Sequence, residues 1–202
     1  HDAYTAYLGR LSEGKDKINA GAIYPHQVVE QIQSNADAVL ADAMWKALPN
    51  YMNDESVIPM IDTSGSMHGA NVAHIAFALG MYIAEKGSGP FKDCFLTFSE
   101  NSTLQNLTGS ITSRYEQVNT AGWDGTTNIV SAFDELLRIA KQNLVPANDM
   151  PKMLLILSDM QFDQCVSYGD QSVQNYGIVY FSQPHRNPNA MQMIAEKYEV
   201  AG

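Results

Sequence analysis

The chain has 202 residues, 45% of them hydrophobic and 17% charged, with 22 acidic against 12 basic side chains and a formal net charge of −10. A chain of this length supports one ordinary globular core, and the acidic balance speaks against a surface built to neutralise phosphate backbones or anionic membranes. The longest nearly uninterrupted apolar run, 73–84, is broken by His74 and falls short of the ~20 residues a membrane span needs. Residues up to about 50 read as helical. Pro25 suits the first turn of a helix through Val28, Val29 and Ile32, and Ser34-Asn35 opens a second one. In that second helix Val39, Leu40, Ala43, Met44 and Leu48 form one apolar stripe that needs a surface to cover it. Residues 1–52 are therefore read as a helical N-terminal arm or the tail of an upstream domain, and 53–202 as the main domain.

From Ser56 short apolar runs alternate with longer amphipathic ones, the pattern of βαβ units. Val57–Ile61 is a predicted strand ending at Asp62, 71–86 a helix, and Cys94–Phe98 the next strand. Thr103–Leu107 reads as a short strand returning antiparallel at one edge. A helix at 113–119, a glycine-rich turn at 122–127 and a helix at 128–142 follow. Met153–Leu157 is an unbroken apolar run and the most buried-looking strand of all. Gly177–Phe181 is a further strand candidate and 191–198 a helix. The fold class is α/β: a doubly wound, mostly parallel, Rossmann-like sheet with a helical arm. Pro59 conflicts with this scheme, because within a central strand it removes a ladder hydrogen bond.

Cys94 and Cys165 have no nearby Cys or His partner, which points away from a disulfide framework or a zinc site. The chain begins at His1 rather than Met and carries no signal-like segment, so it is read as part of a longer, cytoplasmic product.

Three features fall at the carboxyl ends of predicted strands or open a helix beside them, the edge where open α/β sheets bind ligands. They are Asp62-Thr63-Ser64-Gly65-Ser66, the turn Gly125-Thr126-Thr127-Asn128, and Asp159 after the last apolar strand. Carboxylates and hydroxyls at alternate positions around a glycine aim several oxygens at one point, as a hard cation requires. Mg²⁺ suits such a set, and Mn²⁺ or Ca²⁺ are other cations it admits. The plainer reading of each feature is a helix cap or an Asx turn. Beside the loop, His68 and Trp123 are possible neighbours of a cation or partner, with loop packing as their plainer role.

Asp62-x-Ser64-x-Ser66, a threonine in the Gly-Thr-Thr-Asn turn and Asp159 resemble the metal-ion-dependent adhesion site of von Willebrand factor A domains. The wider string, including Asn19-Ala20-Gly21-Ala22 and Met44-Trp45, is similar to an uncharacterised intracellular and phage-associated group whose A domain is like that of Ro (TROVE) ribonucleoproteins. The resemblance implies that Ser64, Ser66 and a turn threonine touch the cation while Asp62 and Asp159 often bond it through water. Thr127 is the favoured threonine, since it precedes Asn128 as in the family's Gly-Thr-Asn form, and Thr126 is the other choice. It also implies a protein partner whose Asp or Glu completes the shell, in a module that is not an enzyme. Family members close with a sixth strand and a final helix. Here 164–186 reads as an insertion and the chain stops at Gly202, so either Gly177–Phe181 replaces that strand or the last strand and helix are missing.

Two other functions compete. Haloacid-dehalogenase-type phosphatases also place an aspartate after the first strand, and Ser158-Asp159-x-x-x-Asp163 matches their later acidic motif. Their acid/base aspartate, however, falls at Ser64 here, and a serine cannot shuttle a proton near neutral pH as a tuned carboxylate does. An RNA-binding role of the Ro type is disfavoured for this chain alone by its charge.

Overall fold

The computed structural model describes residues 2–18, 21–69, 72–98, 101–122, 129–158 and 197–200. In chain order the elements are α1 (Asp2–Ser12), α2 (Pro25–Gln33), α3 (Ala38–Lys46), β1 (Val57–Asp62), α4 (Gly65–Gly69), α5 (Ala73–Lys86), β2 (Cys94–Phe98), β3 (Leu104–Asn106), α6 (Ile111–Thr120), α7 (Ile129–Gln142) and β4 (Met153–Leu157). β1 pairs in parallel with both β2 and β4, and β3 runs antiparallel to β2. The described strands form one open four-stranded sheet in the order β3-β2-β1-β4.

Strand alternation divides the apolar residues between two cores. Val57, Ile61, Phe95, Leu155 and Leu157 face one side, where α2, α3, α5 and α6 bring Val29, Trp45, Phe77 and Val118. Ile58, Met60, Leu96, Leu154 and Ile156 face the other, against Ala132, Leu136 and Ala140 of α7. Helices thus cover both faces, and β1 is buried along its whole length.

β4 departs from its expected burial. It is the outermost strand of the described order, with Met153 55% exposed and the residues after it half-buried, so β1 and not β4 is the most enclosed strand. Pro59 proves compatible with a central strand. It lies opposite Leu155 of β4, and the β1–β2 register begins only at Met60, so its missing donor falls at the end of that ladder.

The N-terminal helices share the first core. Val28 and Val29 are completely buried, Trp45 Nε1 donates to Glu85 Oε2 of α5 at 2.7 Å, and the Ile111 N–H donates to Asp42 Oδ1 at 2.8 Å. The second arm helix starts at Ala38 and not at Ser34-Asn35. Asn35 adopts a left-handed φ of 57° just past the end of α2, and Asp37 caps α3 by accepting the Val39 N–H at 2.8 Å.

At the other end, residues 197–200 are helical and dock on α7. Lys197 Nζ lies 2.7 and 2.6 Å from the two oxygens of Asp134, and the Tyr198 ring meets Phe133 edge-on. Burial first, and the Asp134 charge second, push the Tyr198 phenol up to about 12. The predicted strand 177–181 and residues 191–196 of the predicted helix lie outside the described residues. Cys94 is free and buried; desolvation and then the Asp93 charge push its thiol up. No helix among the described residues is long and apolar enough to cross a membrane.

Candidate metal centre

Because β1 and β4 are parallel with Ile61 opposite Leu157, the residues that follow both strands emerge side by side. Asp62 and Ser158 meet there. Asp62 is 0% exposed; its Oδ1 accepts the Ser64 N–H at 2.9 Å and its Oδ2 accepts the Ser158 hydroxyl at 2.5 Å. Each carboxylate oxygen therefore has a donor, and the first of these bonds is an Asx turn that reverses the chain as it leaves the strand.

Beyond this turn the residues expected as loop become a short helix, α4, opened by the Met67 N–H donating to Ser64 O at 3.2 Å. That curl brings the two serines together: Ser64 Oγ and Ser66 Oγ are 2.9 Å apart and both side chains are partly exposed. Gly65 between them is exposed, with open space where a Cβ would stand. A buried carboxylate followed in the chain by two adjacent hydroxyls on half-buried serines offers oxygen donors of the kind a hard cation takes. Among the described residues no group of three or more His, Cys, Asp or Glu side chains is placed to hold a metal.

Of the other predicted residues, His68 is exposed, its ring edge-on to Phe77 with centroids 6.0 Å apart, and desolvation lowers its pKa. Trp123, Thr126, Thr127 and Asp159 lie outside the described residues. The positions next to them do not: Gly122 O accepts the hydroxyl of Thr63 at 2.8 Å, and Ser158 bonds Asp62. Thr63 is the residue that reading the motif missed. It stands between two expected ligands, and only a hydroxyl at a non-ligand position hints at a separate role.

The chain belongs to a family described as a domain of unknown function (DUF7788), whose model matches residues 56–202. It is also similar to an uncharacterised protein of Acanthamoeba polyphaga mimivirus, 37% identical over 189 residues that cover 91% of this chain and 33% of the relative. The chain thus spans about a third of the length of that relative. No solved structure gives a significant match.

Proposed function

We propose that this chain is a metal-dependent protein-binding module of the von Willebrand factor A type. Its sheet is read as doubly wound and Rossmann-like, with residues 1–52 as a helical arm. In this reading Asp62, Ser64, Ser66, Thr127 and Asp159 hold Mg²⁺, Mn²⁺ or Ca²⁺ being able to replace it. A bound cation supplies a positive centre with room for an outside ligand. The protein acts in the cytoplasm within a larger assembly, and a partner's Asp or Glu is the group captured.

The observation that carries this reading is the pair of serine hydroxyls, 2.9 Å apart on half-buried residues, just after a fully buried aspartate at the carboxyl end of the central strand. Neutral hydroxyls leave a divalent cation most of its charge, which is what attracts a partner carboxylate. The phosphatase is disfavoured by Ser64, which stands where that chemistry needs an acid/base aspartate. RNA recognition is disfavoured by the charge of −10.

The test is calorimetric titration of metal-stripped protein with Mg²⁺ and Mn²⁺, beside Asp62→Ala and an aryl phosphatase assay. Binding that vanishes in the variant without turnover is the expected result. Absence of binding in the wild type refutes the reading, and metal-dependent turnover lost in Asp62→Ala replaces it with the phosphatase.

A further inference from the structure

Thr63 stands between Asp62 and Ser64 in the sequence but has a different partner in space. It is 1% exposed, and its Oγ1 donates to the carbonyl of Gly122 at 2.8 Å, across 59 residues of chain. Gly122 follows the end of α6 with a left-handed φ of 41°, a conformation glycine adopts without strain. The chain is therefore caught at the point where it leaves α6 and enters the segment that carries Thr126 and Thr127. A buried hydroxyl that reaches a backbone carbonyl on another element fixes the distance between the two segments more firmly than apolar contact alone, because breaking it strands a polar group out of water.

We propose that Thr63 is a positioning residue, which holds the exit of α6 against the end of β1 and so fixes Gly122 relative to Ser64 and Ser66. Its consequence for cation affinity rests on the metal reading above; the tether itself does not. Such a residue acts like the outer partners of a metal site, whose loss typically weakens metal binding by about 10-fold to 100-fold.

The experiment uses the full chain with Thr63→Val, which keeps the shape and loses the hydroxyl, and Thr63→Ser, which keeps the hydroxyl. Hydrogen exchange is followed without added metal over residues 119–130 and over α5, and Mg²⁺ affinity is measured by calorimetry. Thr63→Val is expected to speed exchange at 119–130 by about fivefold, the factor that loss of one ordinary hydrogen bond gives, while α5 is unaffected. It is also expected to weaken Mg²⁺ binding by at least about 10-fold, with Thr63→Ser restoring both.

Wild-type exchange and affinity in Thr63→Val overturn the proposal. A wild type that takes up no Mg²⁺ removes the metal reading, and the exchange comparison then decides the tether alone. Should Thr63→Val exchange fast throughout because it fails to fold, Gly122→Ala disturbs the same tether from its exposed end. No atom stands within 4 Å of the added Cβ, so the left-handed φ is its only strain. A local rise at 119–130 in that variant supports the proposal, and unchanged exchange there overturns it.

Discussion

Ser158 Oγ donates to Asp62 Oδ2 at 2.5 Å although 96 residues separate the two in sequence. The bond exists because β4 lies parallel to β1 and its register delivers Ser158 level with the end of the central strand. It also determines what Asp62 has left to offer. With Oδ1 taken by the Ser64 N–H, the carboxylate is oriented from two sides before any cation arrives. A group held in this way loses little conformational freedom on binding, which is the physical content of a preorganised site.

Replacing Ser158 by alanine removes a hydrogen bond to a carboxylate and is expected to lower stability by about 1.5–3 kcal/mol. Urea denaturation at neutral pH measures the loss. On the proposed metal reading Mg²⁺ affinity falls with it, and an unchanged midpoint of unfolding would show that the Ser158 hydroxyl contributes nothing to holding Asp62.

Gly80 tests how closely α5 lies on the sheet. A Cβ there would stand 2.3 Å from Ile61 Cδ1 and 2.6 Å from Ile61 Cγ1, and Ile61 is fully buried. Gly80→Ala gains about 1 kcal/mol of helix propensity, yet overpacking of this kind costs about 1–3 kcal/mol and often more. The variant is expected to melt below the wild type. Adding Ile61→Val removes Cδ1 but not the nearer-chain carbon, so the double variant recovers part of the loss. A Gly80→Ala protein that melts above the wild type would contradict the packing described.

The parts of the fold that local pattern encodes are legible from residue order. Val57–Asp62 and Cys94–Phe98 are largely apolar because both faces of their sheet are covered, and the Leu104–Asn106 return lies within the predicted strand Thr103–Leu107. The placement of Asp62 at the end of the first strand, with Ser64 and Ser66 just beyond it, is legible in the same way. Contacts set by register are not legible: Thr63 with Gly122 and Ser158 with Asp62 depend on which strands lie side by side. Gly65–Gly69 escapes because five residues with glycine at both ends carry no helical periodicity. Met153 misleads in the opposite direction, since an apolar run records composition and cannot say that its strand is outermost among those described.

The N-terminal helices are expected to be part of the folding unit although the family model begins at residue 56. Removing residues 1–52 uncovers the face of α5 that meets Val28, Val29 and Trp45, and leaves Glu85 without the Trp45 donor. Such a truncated chain is expected to lose its cooperative thermal transition and to bind a hydrophobic dye. Trp45→Phe in the full chain is a milder version, expected to cost about 1–3 kcal/mol through the lost hydrogen bond and volume. A truncated chain that melts as cooperatively as the full one would show that the arm is dispensable.

Glu135 on α7 makes stability depend on pH in a predictable direction. Its carboxylate accepts Arg138 Nε at 2.6 Å and Nη2 at 2.8 Å. The Arg138 hydrogen bond is the main cause that holds the carboxyl below the ordinary glutamate range; burial opposes it, and the Arg138 charge and the Leu104 N–H add to it. A carboxyl depressed in the folded state binds its proton more readily in the unfolded chain, so its contribution is fully present above the unfolded value of about 4.3 and is lost as pH falls through the folded value. Glu135→Gln keeps an acceptor for Leu104 but cannot titrate. Unfolding midpoints of both proteins measured from neutral pH downward are therefore expected to diverge at neutral pH and converge in acid, with the wild type losing the larger share of its stability. Parallel curves for the two proteins would mean that Glu135 has the same proton affinity folded and unfolded.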